Sequence, residues 1–176
     1  MASVMKKIAL ITIVLTIVFC ALFHYFNNGI FYTLAITFGT TAYHFSMRLM
    51  IGYVIDFIFK NKVNYNRRWF KVCNFEMNIY KIINVKKWKD KMPTYDPESF
   101  DVSKHSWDEI LMIMCQSEIV HELIFVLSFV PIIEIVWFGT PLVFIITSIL
   151  AALYDLLFVI MQRYNRNRIL RLKSRL

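Results

Sequence analysis

Glu118, His121 and Glu122 lie within the stretch Cys115-Gln116-Ser117-Glu118-Ile119-Val120-His121-Glu122-Leu123, at the mouth of an apolar run that continues to Phe138. On a helix, side chains three and four apart share a face, so Glu118 can reach both His121 and Glu122. A histidine oriented by a carboxylate through one ring nitrogen can take a proton at the other, which is general-base chemistry. Ionisable groups at the edge of hydrocarbon are costly and need partners, water or a function. The plainer reading is a helix leaving hydrocarbon, with the charges marking its exit. Both readings stand on these residues alone, and Glu122 reads as a plain surface carboxylate.

A second polar group closes the next apolar run: Gln162-Arg163-Tyr164-Asn165-Arg166-Asn167-Arg168. Gly139-Thr140-Pro141 turns the chain between the two runs, which makes them an antiparallel hairpin. Counting outward from that turn, Glu118 and Gln162 are nearly equidistant, so the two polar groups should share one level. Pro131 can kink the first arm and shift this register. Arg163 or Arg166 could then hold a phosphate or a developing oxyanion beside His121.

Other chemistries fit less well. Glu118-x-x-His121 is half of a di-iron carboxylate motif, which needs two such motifs and further glutamates. Position 125 is Phe, so His121-Glu122 does not open a zinc-protease motif, and no metal is expected. His105-Ser106-Trp107-Asp108 has the wrong spacing for the HxxxxD box of soluble-type glycerolipid acyltransferases. Cys20, Cys73 and Cys115 are odd in number and far apart, which argues against a disulfide framework. His44 and Arg48 stand one helical turn apart, and Asp155 lies at a comparable depth, so Arg48–Asp155 is expected as a structural ion pair. Glu134 is expected to snorkel to water.

The elements that must position these groups are apolar. Of the 176 residues, 58% are apolar and 18% charged, against about 45–50% and 25% in a soluble domain. Mean hydropathy is +0.53. The expected fold is an all-α membrane protein with four transmembrane helices, at about 8–26, 30–55, 115–138 and 141–161. The whole chain forms a single integral membrane domain, 1–176. Lys6-Lys7 before the first run also describes a signal peptide, but no small-x-small cleavage site follows.

Residues 60–109 form the long polar segment. From 60 to 91 it carries ten Lys and Arg against two acids, interleaved with Tyr65, Trp69, Phe70, Phe75, Tyr80 and Trp88. This mixture suits a chain lying on an anionic membrane surface, aromatic rings at headgroup depth and basic tips on phosphates. One or two short amphipathic helices are expected within 66–85. Ser106-Trp107-Asp108-Glu109 reads as a capping box that opens the third span. With the N-terminus inside, the outer turns 27–29 and 138–141 hold no Lys or Arg, and nineteen of the twenty basic residues fall on the inner side. Both termini are therefore expected in the cytoplasm. The net charge of +8 follows from this topology, and nucleic acid is not needed to explain it.

Lys86-Lys87-Trp88-Lys89-Asp90-Lys91, Glu118-x-x-His121 and Gln162-Arg163-Tyr164-Asn165-Arg166-x-Arg168 together resemble the glycosyl-4,4′-diaponeurosporenoate acyltransferases. These are small bacterial membrane enzymes of staphyloxanthin-type carotenoid synthesis. The resemblance covers roughly residues 60–172 and is most specific in the closing QRYNRxR. It implies transfer of a fatty acyl group to a sugar hydroxyl of a lipid-like glycoside, at the cytoplasmic face of the cell membrane. It falls on Trp88, Lys89, Glu118, His121, Gln162, Arg163, Tyr164, Asn165 and Arg166. His121 would be the base, Glu118 its orienting partner, and Arg163 and Arg166 the holders of the donor's phosphates. The donor would be an acyl-CoA or acyl-carrier-protein thioester, with no bound cofactor, and the partners would be membrane lipids, this donor and a glycosylated lipid-like acceptor. A small membrane methyltransferase and a non-catalytic membrane partner or transporter are the alternatives.

Overall fold

The computed structural model describes residues 2–94 and 96–174. Helix accounts for 82% of the chain, with no strand among the described residues. In order the helices are α1 Ala2–Phe26, α2 Gly29–Phe59, α3 Asn74–Ile82, α4 Val85–Trp88, α5 Trp107–Leu127, α6 Ile135–Phe138 and α7 Pro141–Lys173. Short 3-10 turns occupy Arg68–Phe70, Lys89–Lys91, Glu98–Phe100 and Val130–Glu134. The stretch expected to hold one or two amphipathic helices contains α3.

Three helical stretches are long and apolar enough to cross a membrane: α1, the run from α5 through α6, and α7. The fourth expected span, α2, is long enough at 31 residues, about 46 Å. Its composition falls short of the other three, because Thr33, Thr37, Thr40, Thr41, His44, Arg48 and Asp56 dilute the apolar run.

The chain divides into two compact units. One comprises residues 2–51 and 124–154; the other comprises Gly52–Leu123 and the chain from Asp155 onward. In the first unit, Phe19 of α1 stacks on Phe38 of α2, ring centroids 5.4 Å apart and planes 4° from parallel. Proline has no N–H, so Pro131 cannot bond the Leu127 carbonyl four residues back, and the α-helix gives way to a 3-10 turn there. The Tyr43 hydroxyl donates to that Leu127 carbonyl at 2.9 Å. Tyr32 does the same for Phe138 O at 2.8 Å, where α6 ends. Both bonds satisfy backbone acceptors that hydrocarbon could not. Gly139, at φ +66°, makes the following turn, and Pro141 begins α7, where its missing N–H is harmless.

In the second unit, Val63, Phe70 and Cys115 are buried together and packed by Phe59, Tyr65 and Ile119. Here the expected capping box is complete. Glu109 Oε2 accepts the Ser106 N–H at 2.7 Å, and Ser106 Oγ accepts the Glu109 N–H at 3.3 Å. Lys173 near the end of α7 reaches Asp108 at 2.5 Å, and Tyr65 donates to the same carboxylate.

Candidate active site

The second unit sets one face of α5 against one face of α7. Ser117 and His121 are four apart on α5; Asp155, Phe158 and Gln162 recur at helical spacing on α7. His121 Nδ1 meets Asp155 Oδ1 at 2.9 Å. Its ring lies flat on Phe158, with centroids 4.5 Å apart and planes 6° from parallel. Gln162 Nε2 donates to Ser117 Oγ at 3.2 Å. Pairs 117–162 and 121–158 give the register that counting from the Gly139 turn predicts, so the break at Pro131 leaves it intact.

Asp155 is 1% exposed, whereas the His121 side chain is 20% exposed. A carboxylate on Nδ1 fixes that nitrogen as the N–H donor and leaves the Nε2 lone pair available. Among the described residues Nε2 makes no hydrogen bond. The stacked Phe158 removes the ring's remaining freedom to rotate. A held imidazole with one open basic nitrogen is the result.

One turn earlier on α5, Glu118 belongs to a different group. It is wholly buried and accepts from Arg163 Nη1 at 2.5 Å and from Arg166 Nη1. Arg163 also grips Glu76 of α3 through Nε and Nη2, both at 2.9 Å. It donates further to the Trp69 and Lys71 carbonyls at 3.1 and 3.3 Å. That uses all five guanidinium N–H groups. Arg166, also wholly buried, donates to Phe70 O at 2.7 Å and lies over the Phe70 ring, 5.1 Å from its centroid. Burial alone would raise the Glu76 carboxyl, but the Arg163 and Tyr80 hydrogen bonds outweigh it and hold it below its ordinary value. Burial, then the Glu76 charge, pushes the Tyr80 phenol up. Two carboxylates and two guanidiniums thus neutralise each other while pinning residues 69–76 to α5 and α7.

Several sequence expectations change here. The partner of His121 is Asp155, not Glu118. Three residues on a helix separate side chains by about 60° and 4.5 Å, enough to turn Glu118 toward the arginines and His121 toward Asp155. Arg163 and Arg166 commit their N–H groups internally, apart from a buried Arg166 Nε that has no partner among the described residues. Trp88 bonds Ile83 O at 3.0 Å and Lys89 bonds Asp90 at 2.5 Å, both local contacts that do not bring them to His121. Tyr164 packs edge-on to Tyr80, centroids 6.2 Å apart, and Asn165 is half-buried without a hydrogen bond among the described residues. Glu122, expected as a plain surface carboxylate, accepts Trp69 Nε1 at 2.9 Å. Asp155 was legible as a partner of His121 through its spacing, seven residues before Gln162 and so on the same face. Glu76 carried no comparable signal.

Residues 66–175 match the family model described as glycosyl-4,4′-diaponeurosporenoate acyltransferase. The chain belongs to this family. It is therefore an acyltransferase of a family of carotenoid biosynthesis. No curated protein and no solved structure matches it. The family match contains every residue of the His121–Asp155 pair and of the arginine–glutamate network, and it leaves α1 and α2 outside.

Proposed function

We propose that this acyltransferase moves a fatty acyl group from a thioester donor, acyl-CoA or acyl-carrier protein, to a hydroxyl of a glycosylated carotenoid or similar lipid-like acceptor. The observation that carries the reading is the His121–Asp155 pair with Nε2 open. His121 Nε2 takes the proton of the acceptor hydroxyl as its oxygen attacks the thioester carbonyl carbon. Asp155 stabilises the imidazolium that forms. The tetrahedral intermediate collapses, the C–S bond breaks, and the imidazolium returns its proton to the leaving thiolate. The products are an ester and a free thiol. Gln162, held by Ser117 one turn from His121, has a second amide hydrogen to offer the oxyanion.

The reaction is assigned to the cytoplasmic face of a bacterial cell membrane, with four spans and both termini inside. Three observations support this reading. The distribution of Lys and Arg favours it. The α2 threonines bond their own helix, as Thr37 does to Thr33 O at 2.8 Å and Thr41 to Thr37 O at 2.7 Å, which lets a less apolar helix sit in hydrocarbon. And α3 turns its polar residues Glu76 and Tyr80 inward while Phe75 and Ile82 stand 72% and 82% exposed. With Asn74, Asn78 and Lys81 exposed beside them, these apolar side chains give a mixed outer face suited to the headgroup region.

The test is release of free thiol by the purified protein, supplied with an acyl-CoA or acyl-carrier-protein thioester and a glycosylated lipid alcohol. Thiol release coupled to ester formation is expected. No release from either thioester, together with methyl transfer from S-adenosylmethionine, would replace this reading with the methyltransferase alternative.

A further inference from the structure

Away from His121, the second unit contains a cavity of about 220 Å³ lined by Lys60, Asn61, Lys62, His105, Glu109, Met112 and Ile113. At roughly 30 Å³ per water it has room for about seven waters, hence for a phosphate or diphosphate with part of its hydration. Two lysines and a histidine are among its lining residues. Neither Lys60 nor Lys62 has an ion-pair partner among the described residues. The one carboxylate, Glu109, is engaged by the capping box: its Oε2 accepts Ser106 N at 2.7 Å and Ser106 Oγ at 2.9 Å. His105 Nδ1 stands 3.9 Å from the same oxygen.

The backbone that presents the lysines is strained. Lys60 and Asn61 adopt φ of +46° and +58°, in the left-handed region that non-glycine residues seldom enter. The conformation is held by its surroundings. Asn61 N donates to Gln116 Oε1 at 2.7 Å, and Gln116 Nε2 in turn donates to Asp56 Oδ1 at 3.2 Å. Lys60 N bonds Asp56 O and Lys62 N bonds Phe59 O, both at 2.9 Å. Strain secured by a buried glutamine on a neighbouring helix concentrates at binding sites, where it fixes a side-chain arrangement that a relaxed turn would scatter.

We infer that the Lys60–Lys62–His105 cavity is a phosphate-binding subsite. The contrast with the arginine network supports it: Arg163 and Arg166 are paired with carboxylates, whereas Lys60 and Lys62 line the cavity with no ion-pair partner among the described residues. Along α5 the cavity residue Ile113 is about 12 Å and Glu109 about 18 Å from His121. A phosphate held there could belong to the thioester donor or to an acidic lipid headgroup. The donor assignment rests on the acyltransfer reading; the phosphate site itself does not.

Isothermal titration of the full chain in phosphatidylcholine nanodiscs, with coenzyme A and with inorganic pyrophosphate, tests the site. A parallel arm measures thermal stabilisation on replacing phosphatidylcholine by phosphatidylglycerol. The expected result is saturable binding, or lipid-dependent stabilisation, that Lys60→Gln with Lys62→Gln weakens about tenfold or more. Lys60→Arg with Lys62→Arg should retain it, and Lys86→Gln with Lys87→Gln, an equal loss of charge elsewhere, should leave it unchanged. Sensitivity confined to the coenzyme A titration assigns the donor's phosphates; sensitivity confined to phosphatidylglycerol assigns a headgroup. Equal weakening in the two Gln double variants, or no phosphate response in either arm, overturns the subsite. A catalytically silent protein that still binds pyrophosphate through these lysines would preserve the subsite and count against the acyltransfer reading alone.

Discussion

Two ionisable groups stand a single turn apart on α5 and reach opposite ends. Glu118 is wholly buried between Arg163 and Arg166, with Glu76 and the carbonyls of Trp69 and Lys71 taking up the remaining Arg163 hydrogens and the Phe70 carbonyl bonding Arg166. His121 is partly open, held on one nitrogen by Asp155 and on one ring face by Phe158, and its other nitrogen is left over. A buried, charge-balanced network of this kind resists change because every removal strands a buried charge. A pair with one unsatisfied basic atom costs the fold less and can do chemistry. The lesson is that charge at a membrane edge is not by itself a sign of catalysis; the unspent valence is.

That contrast can be broken at several points. The largest expected effect is on rate: His121→Ala should lower acyl transfer by about 10²–10⁴-fold per folded molecule, with a smaller loss of stability than Glu118→Gln. Glu118→Gln should do the reverse. It leaves two guanidiniums buried without their shared counter-charge and should destabilise by about 3–5 kcal/mol in a denaturation series, with turnover per folded molecule largely kept. Arg163→Lys retains the charge but cannot hold Glu76 in a two-point grip, and a loss of about 1.5–3 kcal/mol in the same series is expected.

A smaller effect concerns pH. Glu76 titrates below its ordinary value of 4.5 when folded. Its contribution to stability is therefore complete above that value and is lost as pH falls through the lower, folded one. Glu76→Gln should flatten the acid limb of the stability–pH curve below about pH 4.5 and leave the neutral region less affected. An unchanged acid limb would mean that the Arg163 contact contributes nothing.

Much of the frame could be read from the chain. The apolar runs, the turn at Gly139, the Ser106–Glu109 capping box and the hairpin register all rest on local pattern or simple counting. What counting could not supply was rotation about each helix axis. Glu118 and His121 looked like partners because they share a face to within about 60°, yet that angle turns Glu118 to the arginines and His121 to Asp155. Asp155 was also legible on the His121 face, because it lies seven residues before Gln162. The role of Glu76 was not legible, since it depends on how an irregular segment folds back across α7. The closing QRYNR pattern was legible as a family feature, but the internal contacts of Arg163 and Arg166 to Glu76, Glu118 and the 69–71 carbonyls were not.

The central claim is that Asp155 holds His121 as the base. Its most direct test is the single-turnover rate of acyl transfer from a saturating thioester by Asp155→Asn, measured beside wild type and His121→Ala at matched folded concentration. The account predicts a loss approaching that of His121→Ala, up to about 10⁴-fold, because an amide no longer enforces the reactive tautomer. A full wild-type rate in folded Asp155→Asn would contradict it.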